Sequence, residues 1–540
     1  MNSRKSVKIY DTTLRDGAQA EEISFSLDDK LRLTEALDDF GVHYVEGGWP
    51  GSNPRDEAYF REVKKLKLRR AKVAAFGSTH HPRNKPEDDN NVRLLLKSGA
   101  PCVTVFGKSW DMQAKEVLGI SKKRNLEIIH GTIAYLKGKV DEVLFDAEHF
   151  FDGYKSDPEY AMRTLAAARE AGADWLVLCE TNGGALPFEV EAIVAEVQAK
   201  MPGARFGIHC HNDSDTGVGN SLAAVRAGAD MVHGTINGIG ERCGNANLCS
   251  IIPNLQLKMG RKIAPAAKLK KLRGISRLVY ELANMAQRPH QPYVGRSAFA
   301  HKGGVHVAAV RKTASAYEHI DPEIVGNRRR VLVSDLSGKW NILTKAKEFG
   351  LDLQSKDDAT RTILAKLKEL ENQGYQFEGA EASFELLMRK AMGQWKKKFD
   401  VVRARVVSSF SNEQKDNWAE AVIKLRLPDG TTTHSVAEGN GPVNALDKAV
   451  RAALVNSYPE LSDVELHDFK VRLLDESKTA SKTRVLIESG DGERRWGTVG
   501  VLANVIEASW QALVDSLEYK LHQRHAVKTG KKKKKGKRKP

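Results

Sequence analysis

Eight short apolar runs, each followed by a polar amphipathic stretch, dominate the first half of this 540-residue chain. They are Val7–Thr12, Tyr44–Trp49, Val73–Gly77, Cys102–Gly107, Val143–Glu148, Trp175–Thr181, Arg205–His211 and Met231–Thr235. Between them lie helix-like segments such as Asp28–Phe40, Pro158–Ala171, Pro187–Lys200 and Gly217–Ala227, several stopped by a glycine (Gly41, Gly172, Gly228). Near-continuous apolar strands alternating with helices require a parallel sheet covered on its outer face. Eight such units in about 250 residues fit a closed (β/α)8 TIM barrel better than an open doubly wound sheet. The looser spacing after Cys102–Gly107, up to Gly138, reads as a local extension.

A chain this long exceeds one compact core. The expected division is a barrel over 1–274, a helical connecting region over 275–398, an α+β domain over 399–522 and a basic tail over 523–540. In the connecting region the strand signal fades, and Arg277–Ala286 and Ala359–Asn372 read as helices. Strand-like runs return at Val401–Ser408, Ala419–Leu427, Phe469–Leu474 and Thr483–Glu488. Here the chain repeats itself. Ser435-Val436-Ala437 with Ala445-Leu446 aligns without gaps onto Thr498-Val499-Gly500 with Ala508-Ser509, 63 residues on, each copy reading strand, strand, turn, helix.

Charge and cysteine content narrow the function classes. Of the net +16, nine positive charges lie between Lys528 and Pro540, leaving +7 on the rest (16 − 9 = 7). Such a block reads as a solvated, disordered end. With no aromatic residue interleaved to stack on bases, it argues against a nucleic-acid partner. No apolar run approaches the ~20 residues that span a bilayer, and no signal core precedes Val7. Five cysteines, without a CxxC pair, fit reduced thiols better than a disulfide framework. Together these features point to a cytoplasmic protein.

In barrels of this kind the site lies at the C-terminal ends of the strands. The first run ends in Arg15-Asp16-Gly17, a fixed positive charge beside a hard oxygen ligand. The seventh ends in His209-Cys210-His211, whose alternate residues share one face, so that both imidazoles can hold one divalent ion. After the eighth comes Asn237-Gly238-Ile239-Gly240-Glu241-Arg242-Cys243-Gly244-Asn245, where glycines permit close backbone approach and Asn245 adds an oxygen. Alone, each motif reads as an ion pair, packed histidines or a loop. Strands one, seven and eight are neighbours in a closed barrel, however, so Asp16, His209 and His211 can converge on one cation with positions left open for substrate oxygens.

These segments resemble the isopropylmalate, homocitrate and citramalate synthase family of metal-dependent barrels. The resemblance rests on 11–19, 207–213 and 240–246, with 298–306 (AFAHKGGVH), 317–322 (YEHIDP), 438–443 (EGNGPV) and 497–501 (GTVGV) in the same order. It runs from about residue 6 to 522. Residues 46–54 and 148–155 look closest to the longer citramalate synthases.

The resemblance implies an acyltransferase that condenses acetyl-CoA with a 2-oxoacid, pyruvate first, in branched-chain amino acid (isoleucine) biosynthesis. Alternative acceptors are 2-oxoisovalerate and, after it, 2-oxoglutarate. It implies metal ligation by Asp16, His209, His211 and Asn245, with Mg²⁺ or Mn²⁺ and Zn²⁺ as the alternative. Arg15, Glu148 and Thr181 would meet substrate, and Arg15, Glu148, His306 and Tyr317 would serve catalysis. It further implies a homodimer, in which one chain's connecting region can complete the partner's site, and a C-terminal regulatory domain binding an amino-acid feedback inhibitor. Trp49 and Phe106 are the expected bulky walls that favour pyruvate.

Overall fold

In the computed structural model the described residues are 6–354, 357–409, 418–474 and 481–535, the last twelve as backbone only. The chain forms two compact units, Met1–Phe299 with Ile320–Arg329, and Ala300–His319 with Arg330–Pro540.

The first unit is a closed eight-stranded parallel barrel: β1 Lys8–Asp11, β2 Tyr44–Gly48, β3 Lys72–Ser78, β4 Cys102–Lys108, β5 Glu142–Glu148, β6 Trp175–Glu180, β7 Phe206–Cys210 and β8 Met231–Gly234. β8 pairs back onto β1, Met231 opposite Lys8, so no edge is left open. All eight expected strands are present. The helices lie where amphipathic spacing puts them, Leu27–Phe40, Pro187–Lys200 and Gly217–Ala227 among them. Leu27–Phe40 begins in a capping box from Ser26 to Asp29 and stops at Gly41, whose φ of 105° is the left-handed turn. The extension after β4 is a π-turn over Gln113–Val117 before the helix Lys122–Lys137.

Strand parity separates two cores. Ile9, Val45, Val103, Phe145, Leu176, Leu178, Ile208 and Val232 pack outward against the helices. Their neighbours Tyr10, Tyr44, Cys102, Leu144, Trp175, Val177 and Met231 fill the barrel interior. The interior is therefore a plugged floor, and inward residues further along the same strands rise toward the C-terminal mouth. One sequence expectation shifts: the helix read as Arg277–Ala286 spans Leu272–Leu282, because Asn284 turns left-handed at φ 53°.

The second unit carries the repeat as two three-stranded antiparallel sheets, each followed by a helix. The first has β9 Asp400–Ser409, β10 Trp418–Arg426, β11 Thr432–Gly439 and the helix Pro442–Leu454. The second has β12 Glu465–Leu473, β13 Thr483–Gly490, β14 Arg495–Leu502 and the helix Val505–Lys535. Each copy is thus strand, strand, strand, helix, one strand more than expected. The turn between second strand and helix is itself a strand, whose Thr432–Gly439 sequence alternates small polar residues. The 63-residue offset carries β11 onto β14 and Pro442 onto Val505 without a slip. The tail expected to be disordered from 523 instead continues this last helix to Lys535, and its residues 536–540 lie outside the described residues.

Candidate active site

The mouth of the barrel is built from inward-facing strand ends. β7 places His209 and His211 on one face, their ring centroids 5.3 Å apart. The turn after β1 brings Asp16 against them, with its Oδ2 3.2 Å from Nε2 of His209. One ligand atom from each of Asp16, His209 and His211 lies within 4.8 Å of the other two, and all three residues are buried. Asn245 joins them, donating Nδ2–H to Asp16 Oδ2 at 3.1 Å, while its own Oδ1 is buried without a partner. The loop carrying Asn245 needs its glycines. Gly244 has a φ of 89°, and a Cβ on Gly240 would collide with the Asn245 side chain.

The electrostatics suit a cation. Burial opposes the charge on Asp16, yet Arg15 and the two histidines hold its carboxyl far below the usual carboxylate range. Burial also opposes charge on His209, but the bond to Asp16 raises it, whereas burial and neighbouring His209 press His211 down to about 4. One imidazole is thus biased toward its neutral form and the other toward protonation by its carboxylate neighbour, a proton that a divalent ion would compete with. One carboxylate and two imidazoles, with an unpartnered amide oxygen beside them, form a donor set that fits such an ion.

Arg15 is fixed by a residue the sequence reading did not assign. Its Nε donates to Glu46 Oε2 at 2.6 Å, Nη1 lies 3.2 Å from Asp16 Oδ2, and the guanidinium sits 3.6 Å above the Phe76 ring. Glu46, fully buried, also accepts from Tyr10 Oη at 2.7 Å and from Thr12 Oγ1. Trp49, Phe76 and Phe106 form an aromatic wall, with Phe76 and Phe106 stacked at 5.4 Å and Trp49 edge-on to both at 5.9 and 5.8 Å. The three aromatic rings, with Arg15, Asp16, Glu148, Thr181 and Arg242, line a cavity of about 210 Å³.

Glu148, at the end of β5, pairs with Lys108. Thr181, just past β6, accepts the His149 backbone N–H at 2.9 Å. Arg242 clasps Asp213 through two bonds, 2.7 and 3.0 Å, and donates to the Thr181 carbonyl at 2.7 Å, tying the mouths of β6, β7 and β8 together. Arg15, Asp16, His209, His211, Asn245, Glu148 and Thr181 are therefore assembled at one end of one barrel. His306 and Tyr317 belong to the second unit, both exposed, their rings stacked at 4.1 Å. Beside them His301 Nε2 and Glu318 Oε1 lie 3.0 Å apart.

Glu46, Phe76, Asp146 and His233 went unassigned because each is a single residue inside an apolar run. Parity is the signal that finds two of them: Asp146 stands two residues before Glu148, and His233 opposes His209 across the β7–β8 ladder. All five cysteines are free, and only Cys243 is exposed. No helix among the described residues is long and apolar enough to cross a membrane.

Comparison with known proteins gives three successive family matches. The HMGL-like family matches residues 6–279, the homocitrate synthase post-HMGL domain-like family 293–375, and the LeuA allosteric (dimerisation) domain 378–521. The chain is 56% identical over 97% of its length to (R)-citramalate synthase of Geobacter sulfurreducens, covering 99% of that protein. It is 54% identical over 95% of its length to that of Aquifex aeolicus, covering 98%. The 2-isopropylmalate synthase of Methanocaldococcus jannaschii stands further off, at 29% over 96% of this chain and 95% of that protein. The chain belongs to the (R)-citramalate synthase family, on an HMGL-like barrel.

Proposed function

We propose that the protein condenses acetyl-CoA with pyruvate to give (R)-citramalate and CoA, as an early step toward isoleucine. The observation that carries this reading is the aromatic wall of Trp49, Phe76 and Phe106 standing beside the convergent Asp16, His209 and His211. Asp16, His209 and His211, with Asn245, would hold a divalent ion, Mg²⁺ or Mn²⁺ or in their place Zn²⁺, whose Lewis acidity polarises the 2-oxoacid keto group. Arg15, locked by Glu46 and Phe76, adds fixed positive charge where negative charge develops on that oxygen. Glu148 and Thr181 orient the oxoacid or the acetyl group.

The bond formed joins the thioester methyl carbon to the keto carbon. The methyl loses a proton, the keto oxygen gains one, and water then cleaves the thioester to release the CoA thiol. The methyl is a weak carbon acid and needs a positioned base. His306, stacked on Tyr317, is the candidate, and either chain of a homodimer can supply the pair. The LeuA-type match over 378–521 supports pairing through that region, and with it an amino-acid inhibitor site; with citramalate as product, the inhibitor we propose is isoleucine rather than leucine.

A thiol-release assay tests the reading. Pyruvate is expected to outpace 2-oxoisovalerate and 2-oxoglutarate, with chelator abolishing turnover and Mn²⁺ restoring it. Faster release with 2-oxoisovalerate would make the protein a 2-isopropylmalate synthase. Isoleucine should inhibit at concentrations where leucine does not, and indifference to both would remove the sensory role.

A further inference from the structure

One layer below Glu148 and His211, the inward faces of β5, β7 and β8 bring Asp146, His209 and His233 together. One ligand atom from each lies within 4.8 Å of the other two, and all three side chains are buried. Asp146 Oδ1, His209 Nδ1 and both ring nitrogens of His233 have no hydrogen-bond partner. Three buried polar side chains this close, each with an unpartnered atom, need something shared between them.

The geometry restricts the choice. His233 lies flat on Tyr10, centroids 3.9 Å apart at 11°, and edge-on to His209 at 5.6 Å, so it cannot swing to solvent. A second cation at this spot would use Nδ1 of His209 while Nε2 faces Asp16. The ring would then have to give up both protons, with only the Asp146 carboxylate to balance the added charge. A hydrogen bond asks less. A histidine that ligates a metal through one nitrogen ordinarily donates the other N–H to a carboxylate, which sets its tautomer and ring orientation.

We propose that Asp146 is a positioning residue. It accepts the Nδ1–H of His209, across at most one water that His233 also bonds, and so aims the Nε2 lone pair at the space between Asp16 and His211. The inference rests on the reading of Asp16, His209 and His211 as metal ligands, and concerns how one of them is held.

Calorimetric titration of chelator-stripped full-length protein with Mn²⁺ tests it, using wild type, Asp16→Ala, Asp146→Ala and Asp146→Asn, with thermal unfolding of each metal-free protein alongside. Wild type should bind one ion per chain and Asp16→Ala none. Asp146→Ala should weaken Kd by about 10- to 100-fold. Asp146→Asn, isosteric and still offering an acceptor oxygen, should lose less, roughly threefold to tenfold. If Asp146→Ala does not fold, the Asn variant decides, a loss in that range supporting the proposal. A wild-type Kd in the folded variants, with only the metal-free melting temperature lowered, would overturn it. So would two ions per wild-type chain falling to one in Asp146→Ala. Unaltered binding by Asp16→Ala, or none by wild type, would instead sink the underlying ligand assignment.

Discussion

The barrel mouth and the C-terminal repeat spend burial on different groups. At the mouth, Asp16, Glu46, Asp146, His209, His211 and His233 are all shielded from water, several with unpartnered atoms. In the repeat most buried strand positions are apolar, Ala419, Ala421, Ile423 and Leu425 on β10 and Val485 and Ile487 on β13, and the polar ones, Thr483, Ser489 and Thr498, carry no charge. Its flanking strands leave Val402, Val407, Val436, Phe469 and Val471 exposed. Burying charge without full compensation costs several kcal/mol and is retained where chemistry needs it. Apolar side chains left in water are the mark of a surface awaiting a partner. The mouth reads as a place for reaction and the repeat as a place for association.

The sharpest way to break that contrast is to remove charge from the mouth. Asp16→Ala and His209→Ala should each cut turnover on the order of 10³-fold or more, the several kcal/mol a metal supplies, while thermal unfolding of the second unit stays put. Near-wild-type thiol release would end the distinction.

Glu518 is the repeat's own exception, and so a check from the other side. Burial pushes its carboxyl up from 4.5 to about 7, and one of its oxygens lacks a partner. With the folded value above the unfolded one, folding favours the protonated form. Stability is therefore unaffected below about pH 4.5 and is lost as pH rises through about 7. Glu518→Gln should recover up to about 3 kcal/mol at pH 8 and nothing at pH 4, measured as denaturant midpoints. Equal effects at both pH values would show that charge is not the cause.

Phe106→Ala opens the aromatic wall without touching the ion's ligands. One carbon in an apolar pocket is worth about 1–3 kcal/mol, so the kcat/KM ratio of 2-oxoisovalerate to pyruvate should rise about tenfold or more. A fall in both substrates alike would make Phe106 a prop for Arg15 and not a wall. The smallest expected effect is Ser26→Ala, which removes the cap of Leu27–Phe40. It should cost about 1 kcal/mol and leave turnover unchanged.

Much of this is legible in the sequence. The strands are near-continuous apolar runs and the helices between them end in glycine stops, the pattern of a covered parallel sheet. Asp16, His209 and His211 were found because their motifs end strands that neighbour one another in a ring. Glu46, Phe76, Asp146 and His233 were not, since a lone acid, aromatic or imidazole within such a run carries no motif. Their roles depend on which face a strand turns inward, and that follows from closure. The third strand of the first C-terminal copy carries no strand signal because Thr432–Gly439 alternates exposed and half-exposed residues instead of burying one apolar face. Only pairing with β10, Thr432 opposite Arg426, makes it a strand.

The account stands on where one ion goes. Anomalous scattering from crystals soaked in Mn²⁺ should give a single strong peak per chain, bounded by Asp16, His209 and His211. No peak there, or the strong peak one layer down between Asp146 and His233, would contradict it.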